Sequence, residues 1–74
     1  MAVLKVIELL ASSDKSWEDA TLNAVKMAAK TVKEIRSVYV QDMSAVVKKD
    51  KIIEFRVNAK VTFEVLGWPK HFNR

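Results

Sequence analysis

From Ile53 to Val65 the chain alternates without a break. Ile53, Phe55, Val57, Ala59, Val61, Phe63 and Val65 are apolar, and Glu54, Arg56, Asn58, Lys60, Thr62 and Glu64 between them are polar. Successive side chains of a strand point to opposite faces, so a period of two predicts a strand with one face in a core and one polar face. The strand-like stretch covers 52–65. In so small a protein its polar face has to meet solvent, a partner subunit or an enclosed space.

The apolar face needs a partner, and the first half of the chain supplies one. Ser16-Trp17-Glu18-Asp19 follows capping-box logic, with a hydroxyl for free amides and carboxylates near the positive end of the helix dipole. A helix is predicted from about Trp17. Trp17, Ala20, Ala24, Ala28, Thr31 or Val32, and Ile35 recur at intervals of three or four, while Glu18, Lys26, Lys30 and Lys33 lie mostly off that stripe. Its alanine-rich face lets the helix lie close to a sheet, and Trp17 fills the volume at one end as core packing rather than as a ligand contact.

Two more strands are expected. Residues 2–11, AVLKVIELLA, read as a strand covered on both faces. Residues 37–47, SVYVQDMSAVV, read as another, joined to the last by Lys48-Lys49-Asp50-Lys51, a short polar connection without glycine. A right-handed crossover then sets strands one and two parallel, with strand three between them. The expected fold is α+β, a β-α-β-β chain whose three-stranded antiparallel sheet has the order 1-3-2.

A chain of 74 residues buries a modest fraction of its surface when it folds alone. The usual staples are disulfides, a structural metal or self-association, and there is no cysteine and one histidine, His71. Self-association is the staple left. One Gly and one Pro argue against disorder. The net charge of +4 is scattered from Lys5 to Arg74 and favours no particular partner. No apolar run approaches the roughly 20 residues that span a bilayer, and Met1 to Leu10 carries Lys5 and Glu8 where a signal peptide would be apolar. A cytoplasmic protein is expected.

No nucleophile beside a base, paired carboxylates, phosphate-cradling loop or metal cluster is visible, and His71 lies near the end of the chain, so no enzyme is expected. Asp42, Asp50 and Glu54 are candidate ligands of a hard cation, or solvated surface charges. Tyr39 and Arg56, on the two arms of the hairpin, are either flanks for a planar anionic ligand or a cross-strand surface pair. The segment 67–74, with Trp68, Lys70, Phe72 and Arg74, reads as a tail outside a domain of residues 1–66. With the net charge it carries a remote alternative, a nucleic-acid-binding module.

Taken together, LKVIELLASSDKSWEDA, the KEIR that follows the helix, and VYVQDMSAVVKKDKIIEFRVNAKVTFEV resemble the dodecin family from residue 3 to about 65. The resemblance implies a sheet partly wrapped around the helix, with protomers joining through trimers into a hollow homododecamer. It also implies sequestration or storage of riboflavin or FMN. Flavin-binding members stack the ring on a tryptophan at the start of strand two and hydrogen-bond it from a glutamine in strand three, positions held here by Ser37 and Arg56. Losing the aromatic platform removes stacking of about 1–3 kcal/mol, by analogy with bases on aromatic side chains. Arg56 retains a means of pairing with a phosphate, and Tyr39 offers a ring. The chain is similar to the subgroup that lacks the tryptophan, some of whose members are associated with calcium. That implies Ca²⁺ at Asp42 or the hairpin, or an assembly whose flavin site is degenerate.

Overall fold

The structure, a computed structural model, describes residues 3–65. The tail 67–74 and His71 lie outside the described residues. The chain runs β1 (Leu4–Ser13), α1 (Trp17–Ala28), β2 (Ile35–Lys48) and β3 (Lys51–Glu64). Its one sheet has the order β1-β3-β2, and both neighbouring pairs are antiparallel, as expected.

Ser16 caps α1, its hydroxyl accepting a hydrogen bond from the Asp19 amide at 2.9 Å. The Asp19 carboxylate does not return to the cap. It accepts from Ser13 Oγ at 2.7 Å, while the same hydroxyl accepts from the Lys15 amide at 2.9 Å, which ties the end of β1 to the first turn of the helix. Ala20, Ala24 and Ala28 are buried. With Val57 and Ala59, the first two make the core, and Leu9, Ala11, Trp17, Val38 and Val40 pack around it. The Trp17 ring meets Phe55 edge to face at a centroid distance of 4.8 Å, confirming its place in the packing.

Three expectations are corrected. The helix stops at Ala28, short of Thr31, Val32 and Ile35. The amides of Thr31 and Val32 both return to the Ala28 carbonyl, Glu34 takes a left-handed φ of 61°, and Ile35 opens β2 opposite Phe63. Pairing with the sheet outweighs the helical period there. Strand β1 is not covered on both faces in the protomer: Leu4, Val6 and Leu10 lie on the side away from the helix and are exposed. Ile53 is not in the core. It is the extra residue where the register steps between Glu54 and Ile52, and it is exposed at the hairpin end.

The helix packs on β1 and β3 and touches β2 little, so the hairpin projects beyond its cover. The radius of gyration is 15.2 Å, against the roughly 11 Å of a compact chain of this length. An elongated protomer with exposed apolar side chains on its open face has surface left to bury.

Candidate functional site

The face of the sheet opposite the helix is built in rows. The even-numbered residues of β3 from Glu54 to Glu64 point to it, and each row is completed by the residues paired with it from β1 and β2. One row is Ser12-Arg56-Ser44, the next Leu10-Asn58-Asp42, and the next Glu8-Lys60-Tyr39.

The first two rows line an open groove of about 450 Å³, with Glu54 at one end and Ala11 and Val57 contributing to its wall. Two carboxylates, Asp42 and Glu54, share the groove with one guanidinium. Arg56 Nε approaches Glu54 Oε2 at 3.4 Å, a long contact between half-exposed groups. Asn58 Oδ1 is buried and has no hydrogen-bond partner among the described residues. An unsatisfied buried acceptor is costly, and a donor or cation that reached it would relieve that cost.

The helix fixes the edges of this groove. Trp17 Nε1 donates to the Ser44 carbonyl at 2.8 Å, and Asn23 Nδ2 donates to the Ser12 carbonyl at 3.0 Å. At the far end of the sheet, Arg36 Nε donates to Glu64 at 2.8 Å, and Glu34 lies 3.2 Å from the same guanidinium. The Glu64 hydrogen bond, with its charge, raises the arginine above its ordinary value, and the Glu34 charge adds to this.

Asp42 and Arg56, expected as metal and ligand residues, share the groove. Ser37 and Tyr39 do not join them within one protomer. Ser37 pairs with Thr62 and Tyr39 with Lys60, six and four residues from Arg56, or about 20 and 14 Å along the strand. Tyr39 and Arg56 therefore do not flank one ring from the same chain, although both are exposed on the same face. Asp50 sits in the hairpin turn, away from the groove. Ser12, Ser44 and Leu10 carried no local signal, because a groove residue on an edge strand is set by register and not by its neighbours in sequence, whereas Asn58 was legible only as one residue of the polar face of the last strand.

A small α+β protomer with a central third strand and a groove opposite its helix is the class that this geometry defines. The family model described as Dodecin matches residues 3–66, and the chain belongs to the dodecin family. A curated relative, the calcium dodecin of Mycobacterium tuberculosis, is 34% identical over 65 residues, which is 88% of this chain and 92% of the relative. A crystal structure of that protein, described as a calcium-chelating antigen with a novel calcium-binding site, superposes with a TM-score of 0.73 over 82% of this chain and 87% of the other. The tt0972 protein of Thermus thermophilus superposes with a TM-score of 0.82 at 25% identity, over 86% of this chain and 94% of the other. Among the described residues, no helix is long and apolar enough to cross a membrane.

Proposed function

We propose that the protein is a non-enzymatic, dodecin-type assembly that binds calcium in the groove at Asp42. The observation that carries this is the buried, unpartnered Asn58 Oδ1 in the same row as the Asp42 carboxylate. Calcium takes six to eight oxygens. The groove offers the carboxylates of Asp42 and Glu54, the Asn58 amide oxygen and the hydroxyls of Ser12 and Ser44. Among the described residues no three acidic, histidine or cysteine side chains gather, so water or a neighbouring protomer supplies the rest. So low a charge count places the affinity at the weak end of calcium sites, about 10⁻⁴ to 10⁻³ M. The 34% identity to a calcium dodecin supports the reading.

The test is thermal unfolding with CaCl₂ against EGTA. At ten times the dissociation constant, calcium should stabilise by about 1.4 kcal/mol. Asp42→Asn should remove the response; an equal response in the variant, or none in the parent protein, refutes the site.

The assembly we infer is twelve copies built through trimers. Leu4, Val6 and Leu10, the last 82% exposed in the protomer, supply apolar surface on the open face. Native mass spectrometry should find twelve chains. A Leu10→Ser variant should yield smaller species with an unchanged far-UV spectrum; a monomeric parent protein would end this reading.

A second reading, sequestration of riboflavin or FMN, is favoured by the Tyr39 ring, 65% exposed beside Lys60 on the same face as Arg56. Because Ser37 and Tyr39 stand far from Arg56 in one chain, such a site would combine protomers. Titration into riboflavin and FMN, followed by flavin fluorescence, distinguishes the two: saturable quenching supports it, and unaltered emission removes it.

A further inference from the structure

The helix side of the protomer carries a charge pattern that the groove on the other face does not use. From Thr21 to Lys33 the chain has no Asp or Glu, and Lys26, Lys30 and Lys33 recur at intervals of four and three. At about 100° per residue, Lys26 lies nearly opposite the line of Ala20, Ala24 and Ala28 that is buried on the sheet. Lys30 sits in the tight turn after the helix, its amide donating to the Met27 carbonyl at 3.1 Å. All three lysines are exposed, and among the described residues none of them forms an ion pair. The carboxylates nearest along the chain are engaged or distant: Glu34 and Glu64 both face Arg36, and Glu18 and Asp19 stand in the first turn of α1. The helix dipole does not account for the cluster. It places about half a charge at the C-terminus and fades within the last turn, where Lys26 stands, whereas Lys30 and Lys33 lie past α1.

We propose that this lysine patch binds the phosphate backbone of a nucleic-acid duplex without reading its sequence. A lysine is a strongly hydrated point charge, suited to a row of phosphates. The forks that read base edges are missing from this face: Arg36 is held by its two glutamates, Arg56 lies on the opposite face, and Asn23 is committed to the Ser12 carbonyl. A single strand is gripped largely by stacking on aromatic rings, and the described rings lie elsewhere, Trp17 against Phe55, Phe63 in the core and Tyr39 beside Lys60 on the open face. A membrane surface takes up the apolar stripe of a helix, and that of α1 is already buried on the sheet. Affinity here rests on the assembly reading, because self-association through the open face leaves α1 outside and repeats the patch in every copy, so that weak contacts add along one duplex.

Fluorescence anisotropy of a labelled DNA duplex of mixed sequence, titrated with the full chain at several salt concentrations, tests this. With three phosphates neutralised by each engaged protomer, log K should fall against log salt with a slope of about −2.7 or steeper, a loss of about 40-fold or more between about 50 and 200 mM. Lys26→Gln combined with Lys30→Gln and Lys33→Gln should weaken binding about tenfold or more and flatten the slope. Lys48→Gln combined with Lys49→Gln and Lys51→Gln removes the same charge from the hairpin turn and should leave affinity within about twofold. Both variants should keep the parent's circular dichroism and native mass. Equal losses in the two variants, or binding indifferent to salt, overturn the patch. Tighter binding to a single strand of equal length overturns the duplex, and phosphatidylserine vesicles bound through these lysines while the duplex is ignored put a membrane in its place. A twelve-chain protein that ignores the duplex overturns the patch and leaves the assembly reading intact; a monomer that binds it through Lys26, Lys30 and Lys33 does the reverse.

Discussion

The β2-β3 turn holds removable strain. Lys48 pairs with Lys51, so Lys49 and Asp50 are the whole loop, with φ of 53° and 66°. Positive φ at both central residues is the type I′ geometry that suits the twist of a hairpin, and Asn-Gly is the pair that adopts it most readily. A side chain with a Cβ costs about 1–2 kcal/mol in the left-handed region, less for Asp, whose short polar chain is tolerated there. Replacing Lys49 by Asn and Asp50 by Gly relieves most of this, and the extra freedom of Gly in the unfolded chain returns part of it. The net expectation is stabilisation of about 1 kcal/mol. It should appear in urea unfolding, at fixed protein concentration, as a higher midpoint with an unchanged slope. For a chain of this size the same change is about 4–8 °C in Tm if the assembly unfolds in one step. A lower midpoint would mean that the turn is not left-handed at these positions; a changed slope would mean that the substitution acts on the unfolded ensemble.

Four further substitutions probe the packing and the charge pairing of the protomer. Trp17→Phe keeps the edge contact with Phe55 and removes the donor to Ser44, so it should destabilise by about 1 kcal/mol, measured by urea unfolding. If the donor anchors β2 as argued, hydrogen exchange should rise around Ser44 more than in β1. Ala24→Leu, at a position 2% exposed between helix and sheet, should cost about 1–3 kcal/mol by overpacking, whereas Leu22→Ala on the exposed face should stay within about 0.5 kcal/mol. Arg36 has its ionisation raised in the folded state by Glu64, so the stability it contributes is fully present below its ordinary titration and is lost only above that range. Arg36→Gln should therefore differ from the parent by the same amount at pH 6 and pH 9; a difference that changes between them would contradict this.

The alternation of β3 is legible because the pleat imposes a period of two whatever the rest of the chain does, and Val57, Ala59, Val61 and Phe63 are buried accordingly. The cap at Ser16 and the strand order follow from equally local or topological rules. The end of the helix is not local: the stripe continues through Thr31, Val32 and Ile35, and only the pairing of Ile35 with Phe63 takes that residue into β2. Exposure on β1 was also hidden, since an apolar run reads alike whether its second face meets the same chain or another copy.

The groove shows where the division falls. The sequence by itself determined that Arg56 belongs to the polar face of the last strand, because the period of two fixes it, and that Asp42 lies on the other arm of the hairpin. It could not say what they face. A two-residue turn alone would set Arg56 opposite Met43, and the extra residue Ile53 on β3 moves it to Ser44. A second step, at Gln41 on β2, separates Val40, opposite Ala59, from Asp42, opposite Asn58. Each irregularity changes the register by one residue, and one residue turns a side chain to the other face of a sheet. Those steps depend on twist and on how the hairpin drapes over α1, so only the tertiary structure decided that two serines meet an arginine and that an aspartate meets an unpartnered asparagine.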